Sequence, residues 1–219
     1  MPKITYTFSL LRQFYLMERM KTLALVATVG PIYGPEDRCG PRGRPLEAAK
    51  AGDLAAFELL MRQYERLVLV TALRLLGVLE DAQDASQEVF LRLYRNLSRM
   101  EASSNFPGWL YQVTVNVCHD MHRKRCVPAP MEEVAELPAL TADPQRTVVE
   151  AERRRALEMS LRMLSEKERA ALVLRDLEGL STEEVARVLG TTEATVRSQT
   201  SKARVKVRDF LERYFRRRT

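Results

Sequence analysis

Apolar residues recur along this chain at intervals of three and four, and nowhere alternate with polar ones over a useful length, which predicts an all-α protein. Asp53 can cap a helix whose buried stripe is Phe57, Leu60, Met61, Tyr64, Leu67, Val68, Thr71 and Leu75, with Gly77 as its stop. A second helix from about Asp81 buries Ala85, Val89, Phe90, Leu93, Tyr94 and Leu97, and turns Asp84, Gln87 and Glu88 outward as what periodicity alone reads as a solvated face. The stretch SRMEASSN at 98–105 reads as a loop, with Asn105 and Pro107 marking the next start. The helix from Gly108 to Arg125 has an apolar face (Leu110, Val113, Thr114, Val117, Met121) and an aromatic, amide and charged one (Trp109, Gln112, Asn116, Asp120, Arg123).

Residues 127–147 carry four prolines and four acids against one arginine and have little to bury, so they predict a flexible acidic linker between two helical domains. Helices resume at Val148. Ser165 with Glu168, and Ser181 with Glu184, are capping boxes. The helix behind the second box buries Val185, Ala186, Val188 and Leu189, and Gly190 stops it. Thr192 then caps a helix with Val196, Thr200, Ala203 and Val207 at helical spacing.

Two short helices joined through a glycine predict a helix-turn-helix, winged-helix-like domain whose second helix enters the DNA major groove. The exposed side of that helix carries Thr192, Glu193, Ala194, Arg197, Ser198 and Ser201, groups suited to base edges and phosphates. A helical hairpin with a solvated face is the plainer alternative, and charge favours the former. The formal net charge is +6, and the excess gathers on and after this helix, at Lys202, Arg204, Lys206, Arg208, Arg213 and Arg216 to Arg218. Lys202 and Arg204 are expected to touch phosphate. The opposite domain offers Trp109 and Asn116, followed by Arg123 and Lys124, a face suited to stacking on unpaired bases and holding a backbone; Trp109 as a core residue is the other reading.

Other chemistry is sparse. Cys39, Cys118 and Cys126 form no CxxC pair and fit a reducing cytoplasm, with Cys118 as a small core residue. Cys118, His122 and Cys126 fall along one helix and cannot converge on a tetrahedral metal. With two histidines, no phosphate loop and no nucleophile motif, neither catalytic residues nor a cofactor is expected. The longest apolar run, Thr22 to Ile32, is too short to insert stably in a membrane. Residues 1–45 mix aromatic, apolar and basic residues, end in a Gly/Pro-rich stretch, and read as a mobile N-terminal extension.

The segments DAQDASQEVFLRLYRNL (81–97), FPGWLYQVTVNVCHDMHRKR (106–125) and LSEKERAALVLRDLEGLSTEEVARVLGTTEATVRSQTSKAR (164–204), in this order around an acidic linker, resemble a bacterial RNA polymerase sigma factor of the extracytoplasmic-function type. The resemblance spans about Leu46 to Phe215. It implies region 2 at 46–126, a linker at 127–147 and region 4 at 148–219. It also implies that Asp84, Gln87 and Glu88 dock on a coiled coil of the largest polymerase subunit. Met100, Glu101, Ala102, Ser103, Ser104, Asn105, Trp109, Asn116 and Asp120 match the positions that capture a base flipped from the opened −10 element, and the helix from Glu193 onward matches the reader of the −35 duplex. The implied partners are core RNA polymerase and promoter DNA, with an anti-sigma factor as a candidate third. One departure stands out: Gln199-Thr200 replaces the family's usual Arg-Leu and puts a hydroxyl on the buried side of the recognition helix. The competing class is a helix-turn-helix regulator with an N-terminal sensor or dimerisation domain, but the β-strands of a receiver domain are missing.

Overall fold

The computed structural model describes residues 44–100, 105–124 and 144–216. The extension up to residue 43, most of the linker, Cys39 and Cys126, and Glu101, Ala102, Ser103 and Ser104 lie outside the described residues. The described residues form helices α1 (Arg44–Lys50), α2 (Leu54–Leu76), α3 (Leu79–Asn96), α4 (Phe106–Lys124), α5 (Pro144–Arg162), α6 (Glu166–Leu172), α7 (Thr182–Leu189) and α8 (Glu193–Arg216). No strand occurs among them, so the helix-turn-helix carries no β-wing there. Four helices start earlier than periodicity suggests. α1 begins inside the expected extension, α3 at Leu79, α4 at Phe106 and α5 at Pro144, a residue whose fixed φ suits the first turn of a helix.

In the first domain, Asp53 Oδ1 accepts from the backbone N–H groups of Ala55 (2.9 Å) and Ala56 (3.2 Å), satisfying two donors that no helix turn can reach. The stripe from Phe57 to Leu75 is buried against α3 and α4. Leu60, Leu67, Leu93 and Leu110 are almost wholly enclosed, and side chains of this size contribute about 2 kcal/mol each. Tyr64 meets the edge of Phe106 at 5.0 Å between ring centres. Tyr94, expected inside, is instead 42% exposed and rests its ring against Phe57, because it sits at the rim of the stripe. Gly77 ends α2 at φ 76°, a backbone conformation that an L side chain rarely adopts.

In the second domain both capping boxes form reciprocally, at Ser165/Glu168 and Ser181/Glu184. After Leu172 the helix widens into a π turn over Val173–Leu177, closed by the Glu178 N–H on the Val173 carbonyl at 2.9 Å. Two ion pairs tie α8 back, one to this segment and one to α6 before it. Arg204 grips Asp176 with two bonds of 2.8 and 2.7 Å, and Lys206 reaches both oxygens of Glu168 at 2.8 Å. The Lys206 ammonium, helped by Ser165, holds the Glu168 carboxyl below its ordinary range against the effect of burial.

Val196, Thr200 and Ala203 are buried, as their spacing predicts. Thr200 Oγ1, however, has no hydrogen-bond partner among the described residues. A desolvated hydroxyl without a partner is a net cost, so Thr200→Val, which keeps the shape, is expected to stabilise the second domain by about 1 kcal/mol. A rise in the denaturant midpoint at unchanged slope checks this.

The two domains pack against each other. The Arg169 guanidinium is buried and bonds the carbonyls of Leu161 (2.8 Å), Arg162 (3.2 Å) and Leu164 (3.2 Å) in its own domain and of Leu75 (2.6 Å) in the other. Burial pushes its pKa down. Arg162 donates to the Gly77 carbonyl. Glu178 is enclosed and meets Arg74 Nη1 at 2.8 Å and the Tyr111 hydroxyl at 3.2 Å. His119 and His122, the only histidines in the chain, both face Glu166.

Candidate functional site

Three surfaces gather the residues singled out in the sequence. On α3, Asp84 and Gln87 are exposed and Glu88 is half-buried, bound by Arg92 one turn on at 2.8 Å. Arg92 also reaches Asp120 on α4 at 3.5 Å, so one guanidinium links the outward face of α3 to that of α4. Glu88 first, and Asp120 with it, raise the Arg92 pKa against the effect of burial. Sequence reading passed over Arg92, although its i, i+4 spacing from Glu88 is a signal for the first half of this link.

The face of α4 is set up by its first turn. Asn105 Oδ1 accepts from the Gly108 N–H at 3.1 Å, so at least the oxygen of this residue serves as a helix cap. Trp109, one turn in, is half-buried, with one side against the core and the other lining a cleft with Gln112. Asn116 is exposed. Asp120 is held by Arg92 and by Arg123 at 3.3 Å, and Arg123 and Lys124 lie in solvent at the end of the helix, where cations suit its dipole. Met100 packs half-buried against the core, and the four residues after it are not described. Cys118 is in the core, and its burial pushes the thiol pKa up to about 12. Among the described residues no three potential metal ligands come together.

On the second domain, Thr192 Oγ1 accepts from the Thr195 N–H at 3.2 Å and starts α8 where the spacing puts it. Ala194, Arg197, Ser198, Ser201 and Lys202 are exposed along one side of the helix, and Glu193 at its first turn pairs with Arg197. Arg204 departs from expectation. Its guanidinium is engaged by both oxygens of Asp176, which raises its pKa, so it braces α8 instead of standing ready for phosphate. The reason is the π turn, which brings Asp176 beside α8.

A family model for sigma-70 region 2 matches residues 60–126, and one for sigma-70, region 4 matches residues 154–207. The extracytoplasmic-function (ECF) RNA polymerase sigma factor SigE of Mycolicibacterium smegmatis is 36% identical over 169 residues, covering 74% of this chain and 65% of that relative. The RNA polymerase sigma-H factor of Pseudomonas aeruginosa is 31% identical, covering 73% and 88%. The ECF sigma factor SigM of Mycobacterium tuberculosis is 32% identical, covering 74% and 80%. Two solved structures share the fold. The sigma factor RpoE in complex with the anti-sigma factor NepR from Bartonella quintana is 22% identical with a TM-score of 0.57, covering 73% of this chain and 98% of that one. CnrH in complex with the cytosolic domain of CnrY is 24% identical with a TM-score of 0.56, covering 77% and 95%. With regions 2 and 4 matched in order and relatives of this identity over most of their length, the chain belongs to the ECF group of the sigma-70 family of RNA polymerase sigma factors.

Proposed function

We propose that this sigma factor, which joins core RNA polymerase and directs it to promoters, divides that work among the three surfaces. The face of α3 with Asp84, Gln87 and Glu88 holds the polymerase. The face of α4 from Trp109 to Lys124, with the loop from Met100 to Asn105, takes the unpaired −10 strand. The exposed side of α8, with Thr192, Glu193, Ala194, Arg197, Ser198, Ser201 and Lys202, reads the −35 duplex. Residues 46–126 form the first working unit, 148–219 the second, and 127–147 the tether. The observation that carries this reading is one chain bearing both an exposed recognition helix and, on another domain, an aromatic, amide and basic face suited to single strands.

The contribution is binding energy. Unstacking a step costs about a few kcal/mol, and stacking on a side chain returns about 1–3 kcal/mol per base. Tethering lets two weak contacts act on one promoter. A cytoplasmic site of action and an anti-sigma partner belong to the same reading. No described helix is long and apolar enough to cross a membrane. The test is reconstitution with core polymerase followed by sequencing of transcript starts. Glu88→Lys is expected to weaken core binding about tenfold or more with an unchanged circular dichroism spectrum, because it sets a cation beside Arg92 and removes the anion offered to the polymerase. Unchanged affinity would remove α3 from the interface.

A further inference from the structure

Arg204 follows Arg197 by seven residues on α8, which is about 20° short of two full turns, so it lies nearly in line with Arg197 and about 10 Å further along the axis. The major groove is about 12 Å wide. A helix that points Arg197 at a base edge therefore brings Arg204 to the rim of the groove, where the phosphates stand. The Arg204 guanidinium is instead filled by Asp176, with Nε donating to Oδ2 at 2.8 Å and Nη2 to Oδ1 at 2.7 Å, the same two-pronged geometry in which arginine takes a phosphate. The Arg204 side chain is 60% exposed and that of Asp176 27%, so the pair lies at the surface, within reach of a strand.

Holding α8 in place is a small part of what this pair can do, because Val196, Thr200 and Ala203 already seat the helix in the core and a surface ion pair adds little. The other pair, Lys206 with Glu168, is different in kind. Glu168 also accepts from the Ser165 N–H at 3.1 Å and completes a capping box, whereas among the described residues Asp176 holds Arg204 and nothing else. Arg197 differs too: its partner Glu193 rides on α8 itself, while Asp176 is fixed on a separate segment, the π turn. A carboxylate at this spot acts twice on an approaching strand. It occupies the donors that a phosphate would take, and its own charge opposes the phosphate. An extra phosphate contact would tighten every sequence alike, adding retention on DNA and no discrimination.

We propose that Arg204 is a phosphate site kept shut by Asp176, which stands in for the DNA backbone and so limits the grip of the second domain on any duplex. This rests on the assignment of α8 to the −35 duplex, and Lys202→Ala keeps the two apart. The full chain is titrated, over a salt series, with a −35 duplex from a promoter found by transcript sequencing, with a mutated duplex, and with a set in which single phosphates are replaced by neutral methylphosphonates. Asp176→Asn is expected to tighten both duplexes about threefold to tenfold with their ratio unchanged, to steepen the salt dependence by about one, and to make one more phosphate sensitive to replacement. Adding Arg204→Gln should remove that sensitivity, and Glu212→Gln, which takes away the same charge elsewhere on α8, should not create it. Arg204→Gln alone should leave the sensitive phosphates as they are in the wild type, a result that does not depend on how the Asp176 variant folds. An unchanged slope in a folded Asp176→Asn protein, an added phosphate that survives Arg204→Gln, or a phosphate lost in Arg204→Gln alone would each overturn the closed site. If Lys202→Ala lowers the slope while Asp176→Asn does not raise it, α8 still reads the duplex and only the role of Asp176 fails. If Lys202→Ala changes nothing, the α8 assignment fails and the closed site with it.

Discussion

Arg169→Ala is expected to destabilise the second domain by about 3–5 kcal/mol, the largest effect of any single substitution considered. The guanidinium serves the carbonyl ends of two helices, Leu75 of α2 and Leu161 and Arg162 of α5, together with Leu164 just beyond. The last carbonyls of a helix have no partner within it and carry its negative dipole end. One buried cation therefore satisfies orphan acceptors from both domains. Removing it strands several of them, at about 1–3 kcal/mol for each that water cannot reach. Arg169→Lys keeps the charge but replaces a planar fork by a point donor, and should recover only part of the loss. Urea unfolding followed by far-UV circular dichroism measures both. A loss under 1 kcal/mol in Arg169→Ala would mean that water replaces the side chain.

Trp109→Ala combined with Asn116→Ala is expected to weaken capture of the −10 strand by holoenzyme about tenfold to a hundredfold, with −35 duplex binding unchanged. A stacked base is worth about 1–3 kcal/mol, and each 1.4 kcal/mol is a factor of ten. The two substitutions should differ in character. Asn116 is exposed, so its replacement acts on DNA alone, whereas Trp109 leans on the core and its replacement also lowers stability. Open-complex formation on permanganate-reactive thymines, alongside thermal unfolding of each single variant, separates the two. Equal loss of −10 and −35 binding would make Trp109 a structural residue only.

Where chemistry is local, the sequence was a sufficient guide. Asp53, Ser165, Ser181 and Thr192 start helices because a side-chain oxygen within three residues meets an orphan N–H, and Gly77 and Gly190 stop them because only glycine enters the left-handed region cheaply. The outward positions of Asp84, Gln87 and Asn116 follow from periodicity in the same way, while the partners proposed for them rest on the family resemblance alone. What could not be read lies far apart along the chain. Arg169 meets Leu75 and Arg74 meets Glu178 across some hundred residues and a linker, and helical spacing is blind to such pairs. In the sequence Arg204 looks like its basic neighbours; only the placement of Asp176 reassigns it.

The π turn at Val173–Leu177 makes the protein sensitive to counting. An α-helix advances about 100° per residue, and the wider turn absorbs one residue more than a regular helix would. Everything after it, from Glu178 to the recognition helix, is set at an angle fixed by that surplus. Deleting one residue here would leave composition, charge and both capping boxes intact, yet swing Glu178 away from Arg74 and Asp176 away from Arg204. The phase between the halves of the molecule is thus stored in the length of a five-residue segment, where a change of length does more than a change of side chain.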